Sequence, residues 1–116
     1  RSYHMSFMEH AFNEMKAIDP NITSDQFSRN WLNKCSSYYR SYKATDRDLT
    51  VHALICFLHN LSAKSSALRM NNNHPMLKRK AEQYEQLRMQ TQEKLKTKVA
   101  KSALHDLGLS YVSGLL

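Results

Sequence analysis

TSDQFSRNWLNKCSSYYRSYK, residues 23–43, is the stretch on which the fold turns. Thr23 followed three residues later by Gln26 is a capping-box pattern, so a helix is predicted to open at Thr23 or Ser24. Phe27, Trp31 and Leu32 turn inward from it. Asn33-Lys34-Cys35 reads as a tight polar turn, and asparagine tolerates the left-handed backbone such a turn demands. Ser36 or Ser37 then caps a second short helix that runs to about Lys43 or Ala44. Helical phase places Tyr38 and Tyr42 on the core side of that helix. Ser37, Arg40 and Lys43 fall on the other side, with Tyr39 flanking them.

Upstream, Phe7, Met8, Ala11, Phe12, Met15 and Ile18 recur at helical spacing and predict a helix over residues 6–17. Asp19-Pro20 ends it, because the residue before proline is pushed out of the α region. Downstream of a polar link, Thr45-Asp46-Arg47-Asp48, Thr50 caps a fourth helix. Val51, Leu54, Ile55, Leu58 and Leu61 give it the strongest amphipathic period in the chain and are expected to line the core. Asn71-Asn72-Asn73-His74-Pro75 is a loop. A long fifth helix follows to about Leu107, with Gly108 as its C-cap. Its apolar stripe, Leu77, Ala81, Tyr84, Leu87, Thr91, Leu95, Val99 and Ala103, is narrow. Such a stripe suits a helix lying across a partner or pairing with its own copy.

The fold class expected is therefore all-α with about five helices. Residues 6–70 form a compact four-helix domain, residues 76–107 a long C-terminal helix that packs across it or dimerises, and residues 108–116 an apolar tail. Two glycines and two prolines in 116 residues agree with this, since few breakers interrupt the helices.

The formal net charge is +7, and its placement matters more than its total. Residues 76–104 carry eight basic against three acidic side chains, and residues 21–50 five against three. A basic surface steers polyanions and gains from counterion release. No run of about eighteen apolar residues suggests a membrane span, and the N-terminal residues do not read as a secretory signal. Cys35 and Cys56 form no paired motif and read as buried, reduced thiols of a cytoplasmic protein.

Residues 23–44 resemble the helix-turn-helix family of DNA-binding proteins. The likeness rests on apolar Phe27, small Ser28, inward Trp31 and the serine-capped start of the next helix. Asn33 stands where that family typically has glycine, and Leu32 adds one residue to the commonest spacing. FSRNWL followed by SSYYRSYKA is also similar to a set of short bacterial proteins that group with small regulators. The resemblance implies a brace helix and a recognition helix that enters the major groove. The DNA contacts it implies are Ser36, Ser37, Tyr39, Arg40, Lys43 and Arg47. Arginine forks onto guanine or phosphate, hydroxyls donate to phosphate, and lysine supplies point charge. A homodimer through residues 76–116 would let two copies read two half-sites.

The competing reading is a protein-interaction module, an adaptor or inhibitor that binds a partner through the C-terminal helix and apolar tail. RNA binding, with bases stacked on outward tyrosines, is a third. Lysines on the fifth helix suit either a solvated face, paired locally with Glu82, Glu85 and Glu93, or further phosphate contacts. His52, Cys56 and His59 share one side of the fourth helix, but the first and third are about 10 Å apart along the axis, and a closed zinc site needs a fourth ligand. No metal or other cofactor is expected. The sequence holds no GxSxG, HExxH or glycine-rich phosphate loop, so an enzyme is not expected either.

Overall fold

The computed structural model describes residues 5–70 and 74–106. Among these the chain is all-α, with five helices in order: α1 (Phe7–Ile18), α2 (an α-helical Ser24–Gln26 that continues as a π-helix, Phe27–Trp31), α3 (Tyr38–Ala44), α4 (Val51–Met70) and α5 (Pro75–Asp106). No helix among the described residues is long and apolar enough to cross a membrane. The predicted Gly108 cap and the apolar tail lie outside the described residues.

Each early helix starts and stops where local chemistry dictates. Ser6 Oγ accepts from Glu9 N at 3.1 Å, and α1 ends at Asp19, before Pro20. A second cap reaches α1 from far along the chain. The Asp48 carboxylate accepts from Phe7 N at 3.1 Å and Met8 N at 2.9 Å, placing a negative charge at the positive end of the helix. Lys94 Nζ stands 3.8 Å from the same carboxylate, which links α1, the α3–α4 connection and α5.

Thr23 and Gln26 form the reciprocal capping box at the start of α2: Thr23 Oγ1 accepts from Gln26 N, and Gln26 Oε1 from Thr23 N, both at 3.1 Å. The helix then widens, with Leu32 N donating to Phe27 O at 3.1 Å across five residues. Asn33 closes it at φ 56°, in the left-handed region. Asn60 on α4 fastens this end. Its Nδ2 donates to Trp31 O at 2.9 Å and to Asn33 Oδ1 at 3.2 Å.

The core sits where α1, α2, α3 and the α4–α5 hairpin converge. Phe12 and Phe27 lie 5.2 Å apart between ring centroids, Phe27 and Phe57 5.5 Å, and Trp31 stacks on Tyr84 at 5.5 Å. Aromatic pairs of this kind add about 0.5–1.5 kcal/mol each beyond their burial. On α5, Ala81, Tyr84, Leu87 and Thr91 are buried, so the middle of that helix belongs to the same core. Farther along, Val99 and Ala103 are exposed.

The phase of α4 departs from the sequence expectation. Its buried positions are Ala53, Leu54, Phe57, Leu61 and Ser65, whereas Ile55 is 49% exposed and Val51 and Leu58 are half-buried. Apolar residues surround the first turns of α4 almost completely, so several stripes fit the sequence equally well. Phe57, the largest of them, takes the buried line because it fills the space beside Phe27 and Trp31.

Candidate nucleic-acid interface

Helices α2 and α3 form a corner joined through Asn33, and one buried side chain sets their approach. Ser28 has no exposed surface. Its Oγ donates to Ser24 O at 2.9 Å and accepts from Tyr39 N at 3.0 Å. A small residue is needed where two helix backbones come this close, and the hydroxyl meets an amide that would otherwise be buried without a partner.

Held in this way, α3 turns Ser37, Arg40, Ser41 and Ala44 outward on one ridge, with Lys43 exposed on its flank. Ser37 occupies the N-cap position without a side-chain capping bond, and its hydroxyl lies 3.6 Å from Cys35 Sγ. That hydroxyl is the main cause holding the Cys35 thiol below its ordinary pKa. Ser36 is half-buried. Arg40 forms an ion pair with Asp25 on α2, with both side chains about half exposed. The Arg47 guanidinium lies 4.1 Å above the Tyr42 ring, and its Nε donates to Thr45 Oγ1 at 2.8 Å. Lys34, in the turn, stands with Nζ 2.9 Å from His52 Nδ1 on α4.

Arg47, held over the Tyr42 ring, lies toward the other side of the helix, and four of the six expected contact residues, Ser36, Ser37, Arg40 and Lys43, stand on or around the outer side of α3. Tyr39 does not. It was expected beside the outer face, but it is 6% exposed, with its ring 4.6 Å from Phe12 and 5.9 Å from Phe27. Burial pushes its phenol pKa up, and that of Tyr38 likewise. The reason is geometric. α3 is only seven residues long and lies in a corner, so consecutive tyrosines are covered from two sides. Tyr39 meets α1 and α2, while the Tyr38 hydroxyl accepts from Thr50 N at 3.4 Å. Ser41 was missed as a member of the ridge, although its spacing of four from Ser37 marked it.

The cysteines also differ from expectation: Cys35 is exposed and Cys56 half-buried. Cys56 Sγ sits 3.8 Å from the His52 ring. Among the described residues no group of three or more His, Cys, Asp or Glu side chains is arranged to hold a metal.

The fold and this face describe a small all-α protein with a short, basic, serine-bearing helix displayed at a corner. The chain belongs to a family of unknown function, DUF6626, whose model matches residues 8–104. Neither a curated protein nor a solved structure matches it.

Proposed function

We propose that this chain is a small DNA-binding regulator of the helix-turn-helix kind, with α2 as the brace and α3 as the recognition helix. The observation that carries the reading is the outer ridge of α3. Ser37, Arg40, Ser41 and Ala44 project from a helix pinned by the Ser28–Tyr39 bond, with Lys43 beside them. Short side chains at 37, 41 and 44 let the helix approach the groove closely. Arg40 between them supplies a fork able to meet guanine O6 and N7, or a phosphate. Ser36 and Ser37 stand at the helix N-terminus, the end that reaches base edges in this docking geometry.

Net charge of +7 supplies the long-range attraction. One short helix reads only a few base pairs, so two copies on half-sites about 34 Å apart would raise specificity. The RNA reading loses support, because two of its three stacking tyrosines, Tyr38 and Tyr39, are buried.

The test is a titration of fluorescent mixed-sequence duplex DNA with the full chain at several salt concentrations. Micromolar binding at low salt, with log K falling linearly in log salt, is expected. No binding at low salt would remove DNA as the partner and favour the protein-interaction module.

A further inference from the structure

The end of the α4–α5 hairpin carries charge of one sign. Residues 49–81 contain five Lys or Arg and no Asp or Glu. All five, Lys64, Arg69, Lys78, Arg79 and Lys80, are exposed. Arg69 lies 3.9 Å from Glu85. The other four make no ion pair among the described residues. Three basic side chains farther along α5 are met differently: Arg88 pairs with Glu85, Lys94 with Asp48 and Lys96 with Glu93. Local pairing of that kind is what a merely solvated helix face supplies, and the hairpin end lacks it.

Two methionines stand at the same end. Ser65 Oγ donates to Ala81 O at 3.3 Å, which sets the antiparallel register of the hairpin. Counting five residues outward along each helix reaches Met70 and Met76, about 7.5 Å beyond that bond. They are 85% and 64% exposed, the highest values of any large apolar side chain among the described residues. On the same count Arg69, Lys78, Arg79 and Lys80 fall within about 6 Å behind the methionines, and Lys64 about 9 Å behind. Arg69 and Lys78 line one cleft of the hairpin with Glu82, whereas Lys64 lines another beside Trp31. The cations form a collar behind an apolar crown.

We infer that this end of the hairpin docks, tip first, on the surface of an anionic phospholipid membrane. The order of depth fits. Apolar groups of an interfacial protein enter by about 5–10 Å, so methionines at the boundary with the acyl chains leave the collar among the lipid phosphates. A nucleic-acid duplex would meet the cations but leave both methionines in water. The methionines project from an end rather than line a groove, and a fluid surface needs no groove. Each Lys or Arg brought near an anionic leaflet strengthens binding about fivefold. The inference is independent of the DNA reading. α3 adjoins the start of α4, where the Tyr38 hydroxyl accepts from Thr50 N, and about 30 Å of helix separates that point from the crown.

Flotation of the full chain with vesicles tests it, at about 0.1 M salt, where charges more than about 10 Å from the surface are screened. The chain should float with vesicles of phosphatidylserine and phosphatidylcholine in equal parts, and not with phosphatidylcholine alone. Lys78→Gln, Arg79→Gln and Lys80→Gln together should weaken that binding at least about tenfold. Lys96→Gln, Lys98→Gln and Lys101→Gln remove equal charge at the far end of α5 and should cost less than about threefold. Both triples should keep the circular dichroism of the unaltered chain. In a Cys35→Ser, Cys56→Ser background, an environment-sensitive dye on Met76→Cys should shift to the blue on the anionic vesicles, and the same dye on Ser102→Cys should not. No flotation with anionic vesicles, equal losses from the two triples, or an unshifted dye at residue 76 would overturn the inference. A first triple that keeps its vesicle binding and loses affinity for duplex DNA would overturn it too, and give the collar to nucleic acid.

Discussion

Ser28 and Tyr39, eleven residues apart, are joined by a buried hydrogen bond from the Tyr39 amide to the Ser28 hydroxyl at 3.0 Å. The bond ties the brace helix to the helix it presents. Ser28→Ala leaves the Tyr39 N–H buried without an acceptor, and such an orphan costs about 1–3 kcal/mol. Denaturant titration should show a loss in that range. Ser28→Leu should lose more, because the crossing has no room for the added volume. A change under about 0.5 kcal/mol in Ser28→Ala would mean that the amide finds another partner.

Asn33 ends α2 at φ 56°, where a Cβ is disfavoured and asparagine is tolerated better than most residues. Asn33→Ala should destabilise the protein by about 1–2 kcal/mol, combining the backbone penalty with the lost bond from Asn60. Asn33→Gly removes the strain but also that bond, and adds freedom to the unfolded chain, so the effects offset to within about 1 kcal/mol. Thermal melts of the pair should rank glycine above alanine.

Burial raises the phenol pKa values of Tyr38, Tyr39 and Tyr84 above the ordinary value of 10.0. The folded state then holds these protons more tightly than the unfolded chain does. The stability they contribute is fully present below the unfolded value and is lost as pH rises through the folded values. Phenolate absorbance should therefore lag behind that of free tyrosine above pH 10.0, and cooperative unfolding should release the remainder. Tyr39→Phe should move the alkaline midpoint upward if its core packing is kept.

Asp25 holds Arg40 in an exposed ion pair, and DNA must compete with it for the guanidinium. Asp25→Asn should therefore strengthen duplex binding by about 1.4-fold to fivefold at low salt, the equilibrium counterpart of a surface pair worth about 0.2–1 kcal/mol. The gain should shrink as salt rises. Weaker binding by Asp25→Asn, measured by anisotropy, would place Asp25 in an orienting role instead.

The local signals were the legible ones. Thr23 with Gln26, Asp19 before Pro20, left-handed Asn33 and the Thr50 cap each depend on a few neighbouring residues, and each predicts a boundary that the fold has. The phase of α4 was not legible, because Val51, Ala53, Leu54, Ile55, Phe57 and Leu58 cover its start except for the narrow side of His52 and His59. Nor was the fate of Tyr39. Helical phase alone put it at an edge, and only the placement of Phe12 and Phe27 made that edge interior. Asp48 at the start of α1 depends on a contact across some forty residues that no local pattern carries.

Whether the outer face of α3 meets DNA is read most directly from the duplex affinity of Arg40→Ala with Lys43→Ala across salt. Both side chains are exposed, so the fold should persist and circular dichroism should match the unaltered chain. Affinity at low salt should fall at least about tenfold, with the log K against log salt slope shallower by up to about two, one per lost phosphate contact. An affinity and slope equal to those of the unaltered chain would contradict DNA binding by that face.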